Sequence, residues 1–259
     1  MVMSIEKCCK IVMMRTCYYL VDMFKDYKKH FRSSTTLFCF SPPVMLATFL
    51  IEVIGAVYTF LRYKVNHATR IIIAVLICLG VFQLAEYLIC EVPMLPGLTW
   101  SRIGYVAITL LPPLGASLAM AIAAKRSLLA QIVLYFAAAC FIGYFLFAEG
   151  ALGVGVCAGN YVIFESINSQ FLYGVYYYGL LATTVVCCLA WARSLKDEAA
   201  RSALVWLAVG YLLFMLPTTT VNLMDRSTIG AIPSIMCGFA VLLAIVLIFA
   251  VLPKVARKR

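Results

Sequence analysis

The sequence predicts an all-α protein: a seven-transmembrane helix bundle with an N-terminal interfacial helix. Three observations carry that expectation. Seven apolar runs, each near the ~20 residues that cross a bilayer, follow one another between residues 43 and 252. Charged residues make up 12% of the chain, about half the usual share of a globular protein, so there are too few to face a soluble helical core with polar stripes. The breaks between the runs alternate in charge, as membrane orientation requires.

Residues 1–36 come first and form a basic amphipathic extension. They hold Lys7, Lys10, Arg15, Lys25, Lys28, Lys29 and Arg32 against Glu6, Asp22 and Asp26. The apolar stretch Ile11–Val21 is too short to span and contains Arg15. No small-residue cleavage site follows it, so it does not read as a signal peptide. An interfacial helix is the favoured reading. The alternatives are a re-entrant eighth element and a segment that precedes the true start of the protein.

Residues 37–259 form the transmembrane domain, with spans expected at about 43–61, 70–90, 103–123, 128–148, 172–192, 202–222 and 230–252. Ser41 and Pro42 read as the N-cap and first turn of the first span. Pro112-Pro113 should interrupt the third span and Pro217 the sixth, because each proline removes a helix hydrogen bond. The long break 149–171 is Gly-rich in its first half, and Asn160–Glu165 suits a short strand or hairpin. Tyr173, Tyr176, Tyr177 and Tyr178 crowd the start of the fifth span and read as an interfacial aromatic belt. A cage for a cationic ligand is the rival reading.

Orientation follows from charge. Arg62, Lys64, Arg70, Lys125, Arg126, Arg193, Lys196, Arg201, Lys254, Arg257, Lys258 and Arg259 fall on one side of the alternation, and only Arg102 and Arg226 on the other. The positive-inside rule places the C-terminus in the cytoplasm and the chain in the cell (inner) membrane, multi-pass. The formal net charge of +10 is explained by these helix ends, with the lipid bilayer as partner and no nucleic acid. The 11 cysteines fall mostly in apolar runs, where Cys behaves as a small hydrophobe. There is no CxxC pair and no Cys/His cluster, and His30 and His67 lie in polar segments. A metal site, a cofactor and a hydrolase triad are therefore not expected, and the chain is more readily a non-enzyme. Cys90 and Cys157 both fall on the outer side, where a disulfide would tie the long loop to the second span.

The candidate site is polar and lies inside the spans. In Val81–Cys90, VFQLAEYLIC, the residues Gln83, Glu86 and Cys90 share one helix face by their spacing. Glu86 lies roughly 6 Å in from Cys90 at 1.5 Å per residue. A carboxylate at that depth costs ~2.5–3.5 kcal/mol on insertion scales and marks a site by default. Snorkelling to the outer interface is the plain alternative. Glu52 lies nearer the middle of the first span, and its different depth argues against direct pairing with Glu86. Thr218 and Asn222, after Pro217, add polar groups to the outer half. Together these five residues are the candidate ligand-binding set, with both proline kinks lining the same outward-facing cavity.

The segment Cys39-Phe40-Ser41-Pro42-Pro43, followed by Gly55 and Thr59-Phe60-Leu61-Arg62, resembles a family of uncharacterised bacterial seven-helix membrane proteins whose chains open with Cys-Phe-Ser. Gln83-Leu84-Ala85-Glu86 is similar to that family's second-helix motif, and Ser234-Ile235-Met236-Cys237-Gly238-Phe239 to its last-helix pattern. The likeness covers about residues 38–253. It implies an architecture and candidate positions, and no activity. Glu52 and the tail before Cys39 depart from the pattern. Better-known seven-helix families fit poorly: residues 230–252 hold no lysine for a retinal Schiff base, and the third span lacks the Asp-Arg-Tyr end of a G-protein-coupled receptor.

The expectation for function is an integral membrane protein that binds or transports a small molecule or cation in an outward-facing polar pocket. A non-transporting sensor or scaffold subunit is the alternative, and an intramembrane enzyme the third reading. The first predicts clustered carboxyls. The second predicts a closed, dry core.

Overall fold

The computed structural model describes residues 42–92, 97–125, 127–153, 156–157, 162–163, 170–224 and 231–257. The expected interfacial helix, Cys39, Ser41 and Arg226 lie outside the described residues, as does the side chain of Cys157. Helices α1 (Pro42–Arg62), α2 (His67–Glu91), α3 (Gly97–Thr109), α4 (Leu111–Ile122), α5 (Leu128–Phe147), α6 (Gln170–Ser194), α7 (Glu198–Met224), α8 (Ile232–Val246) and α9 (Leu252–Val255) form an all-α bundle. A π-helical turn, Leu247–Val251, joins α8 to α9. Taken by span, with α3–α4 continuous and α8–α9 continuous, seven helices are long and apolar enough to cross a membrane. Two-residue strands β1 (Val156–Cys157) and β2 (Val162–Ile163) pair antiparallel in the long loop, where the sequence suggests a hairpin.

Local chemistry sets the ends. Asn66 caps α2 by accepting the Thr69 N–H at 2.8 Å, and Ser127 caps α5 by accepting that of Ala130 at 3.2 Å. Asp197 accepts the Ala199 N–H at 3.0 Å at the start of α7. At the end of α4, Ala124 takes the left-handed conformation, φ 54°, and the next N–H, of Lys125, donates back to the Met120 carbonyl at 3.0 Å.

The two proline sites behave differently. Pro112-Pro113 does break the third span, between Thr109 and Leu111. Pro113 has no N–H for the Thr109 carbonyl one turn earlier, and the Tyr176 hydroxyl supplies that bond from α6 at 2.8 Å. Helix α7 instead runs through Pro217 without interruption. The hydroxyls of Thr218, Thr219 and Thr220 turn back onto the carbonyls of Phe214, Met215 and Leu216, at 2.8, 2.8 and 2.9 Å. These are additional bonds to carbonyls next to the one, of Leu213, that Pro217 leaves without an N–H donor.

Helix α2 is the centre of the bundle, packed against α1, α3, α4 and α8. Ile72, Leu76, Leu79 and Phe82 are fully buried along it. Helix α5 is its opposite: only Ala138 and Phe145 are buried, and Leu128, Ile132, Val133 and Phe136 are exposed. So are Leu50, Ile54, Phe60 and Leu61 of α1. Apolar faces of this extent are stable in lipid and not in water.

The basic breaks meet at one end. The Lys64 N–H donates to the Arg257 carbonyl at 2.9 Å, Asn66 Nδ2 donates to the Val255 carbonyl at 2.9 Å, and Lys125 Nζ stands 5.5 Å from the Trp191 ring near the end of α6. The first, third and fifth breaks and the C-terminal segment therefore share one face of the bundle.

Candidate functional site

The two intramembrane carboxyls lie on helices that pack against each other. Glu52 of α1 and Glu86 of α2 are close enough for their charges to interact, although counting residues from the helix ends places them at different depths. The helix contact explains it. Gly80 of α2 faces Phe49, Glu52 and Val53 of α1, and a Cβ built there would stand 3.8 Å from the Glu52 Cβ. With no side chain at Gly80, α1 closes onto α2, and Glu52 meets the face that carries Gln83 one turn on and Glu86 next.

None of the three reaches solvent: Glu52 is 0% exposed, Glu86 1% and Gln83 2%. Snorkelling of Glu86 to the interface is thereby excluded in this conformation. The surroundings come from α3 and α8. Ser234, 0% exposed, is hydrogen-bonded through its side chain to the Glu86 carboxyl. Cys237, one turn further along α8, interacts electrostatically with both Glu86 and Glu52, and Tyr105 of α3 with Glu86. Hydrogen-bonding capacity is left over. Glu52 Oε1 and Oε2, Glu86 Oε1 and Gln83 Nε2 are buried and have no hydrogen-bond partner. An ionised carboxylate left so in a low-dielectric interior costs several kcal/mol.

The other candidates sit elsewhere. Thr218 is buried, but its hydroxyl is committed to the Phe214 carbonyl. Asn222 is half-buried at the far end of the same helix. Helix α7, which carries both, packs chiefly against α6, α8, the π turn and α9, whereas the carboxyls stand on α1 and α2. Cys90 is disulfide-bonded. Strand β1, which carries Cys157, packs against α2.

Two groups of residues escaped the sequence reading as parts of a site. Ser234 and Cys237 stand in a motif noted only for resemblance, and their spacing of three was the available signal. Tyr173 and Tyr177 are 8% and 7% exposed, so these two are packed inside the bundle, while Tyr176 and Tyr178 of the expected belt are half-buried. Tyr173 is hydrogen-bonded to Thr109 Oγ1 at 3.0 Å and packs on Tyr105, Phe141 and Phe145, ring centroids 5.7, 5.4 and 5.1 Å away.

A cavity bordered by Cys237, and by none of Glu52, Gln83 and Glu86, holds about 10 Å³, close to the smallest space that holds one water. Val75, Leu79, Leu111 and other apolar side chains line it, with Tyr177, Tyr211 and Cys237. Cys237 is shared between this cavity and the carboxyl cluster. Among the described residues, no group of three or more His, Cys, Asp and Glu could hold a metal ion. In comparisons with known proteins, no family model matches the chain and no curated sequence matches it.

Proposed function

We propose that this multi-pass membrane protein binds a small cation at Glu52, Gln83 and Glu86, in the half of the bundle away from the basic face. The observation that carries the reading is the pair of buried carboxyls with unpartnered oxygens and, among the described residues, no basic side chain acting on them. The cation supplies the charge and the bonds that the protein withholds. The resemblance to the bacterial Cys-Phe-Ser family is retained as part of this reading, and with it the cell membrane as location.

The C-terminus is cytoplasmic in this account. The basic breaks gathered on one face support it. So does the disulfide at Cys90, at the opposite end of α2, since disulfides persist in an oxidising compartment. Cys157 is the partner we assign to Cys90, because its strand packs on α2 while Cys78, Cys140, Cys187, Cys188 and Cys237 are free.

The closed packing around the carboxyls favours a second reading, a sensor that binds without passage. Both readings share the site. The test is the melting temperature of the purified protein, titrated with sodium, potassium, magnesium and tetramethylammonium chlorides and with pH. A ligand that binds only the folded state raises the melting temperature by mass action. One of these titrants is expected to shift the native protein, and the shift should vanish in Glu52→Gln and Glu86→Gln. Equal responses of native and variant proteins to every titrant would refute the site. Flux of the active titrant across vesicles then separates transport from sensing.

A further inference from the structure

We infer that the cation taken up by the Glu52–Glu86 cluster is the proton. The inference rests on the cation-binding reading and narrows it to one chemical class.

Space is the first argument. Both carboxyls lie in closed packing, 0% and 1% exposed, and neither lines the cavity of about 10 Å³ that Cys237 borders. Calcium takes six to eight oxygen ligands, and magnesium keeps several of its waters. A partly hydrated ion has no room there. An organic cation has less.

The second argument is the company the carboxyls keep. The groups facing them are the Ser234 hydroxyl and the Cys237 thiol of α8, the Tyr105 hydroxyl of α3 and the Gln83 amide of α2 itself. Tyr177 of α6 stands behind Cys237 and interacts with it. Helix α4 brings no titratable side chain, and the cysteine on this stretch of α2, Cys90, is disulfide-bonded. Hydroxyls, a thiol and an amide N–H donate protons. A hard metal cation selects carboxylate, carbonyl and water oxygens, and here an amide N–H and a thiol occupy part of the shell.

The third argument is bond satisfaction. A proton on either carboxyl turns an acceptor-only group into a donor. A protonated Glu52 or Glu86 can then donate as well as accept, which an ionised one cannot. One proton taken up by the cluster removes one of its two like charges and the repulsion between them.

The test is infrared difference spectroscopy of the full chain in lipid vesicles, which reads the C=O band of protonated carboxyls. The titrants are pH steps, then sodium, potassium, magnesium and tetramethylammonium chlorides at fixed pH. The expected result is a band that pH changes and the salts leave alone, reduced in Glu52→Gln and in Glu86→Gln and lost in the double variant. A carboxyl signal moved by one of the salts and unmoved by pH would overturn the proton and leave the cation site standing. A native spectrum in which neither pH nor any salt touches a buried carboxyl would overturn both. The measurement on the native protein decides these outcomes even where a variant fails to fold.

Discussion

Tyr176 and Ala124 each stand where a backbone rule is broken, and each offers a prediction. The Tyr176 hydroxyl replaces the N–H that Pro113 lacks, by donating to the Thr109 carbonyl. Tyr176→Phe keeps the ring against Phe141, 4.8 Å between centroids, and strands that carbonyl. A loss of ~1–3 kcal/mol is expected in unfolding from mixed micelles; an unchanged stability would mean that another donor holds the break. Ala124 closes α4 with a positive φ, a conformation that costs a Cβ-bearing residue ~1–2 kcal/mol and glycine nothing comparable. Ala124→Gly should therefore raise the melting temperature, and a fall would show that the turn does not use the left-handed residue. The carboxyls themselves were legible residue by residue, because a charged group in an apolar run is conspicuous. Their proximity was not. Depth counted along a helix says nothing about where a glycine lets the next helix close in, and Gly80 decides it.

At the scale of elements, hydropathy located all seven spans, and the helices extend beyond the expected runs mainly where caps add a turn. Asn66 starts α2 at His67 and Asp197 starts α7 at Glu198, ahead of the apolar runs at 70 and 202. Pro112-Pro113 was legible as a break, whereas α7 runs through Pro217 without one, which the residue type alone did not tell. The π turn had no signal of its own. The Leu252 N–H reaches the Leu247 carbonyl five residues back, and Pro253, next in line, has no N–H to continue an α pattern. Ile248 of that turn fills the space that Gly55 of α1 leaves, three residues from Glu52. This packing fixes α1 against the last span. Gly55→Leu should part the two helices and lower the melting temperature, whereas Phe136→Ala on the lipid face of α5 should change it little. Equal effects would mean that Gly55 is not a close contact.

For the whole molecule, orientation and the carboxyl site make separable claims. Single cysteines introduced at the basic face, at Lys64 or Lys125, should resist a membrane-impermeant reagent in intact cells. Labelling of those positions from outside would reverse the topology and leave the cluster untouched. The central claim is that Glu86 sits in a packed polar cluster and takes a cation there, and it is tested most directly by melting native, Glu86→Gln and Glu86→Leu proteins side by side across pH and salt. Glutamine keeps shape and a hydrogen-bond acceptor for Ser234, so Glu86→Gln should fold with near-native stability and lose the ligand response. Leucine leaves Ser234 and Gln83 facing an apolar side chain, so Glu86→Leu should lose ~1–3 kcal/mol as well as the response. A gain in stability for Glu86→Leu, together with a native response in Glu86→Gln, would contradict the account and reduce Glu86 to a carboxyl with no ligand.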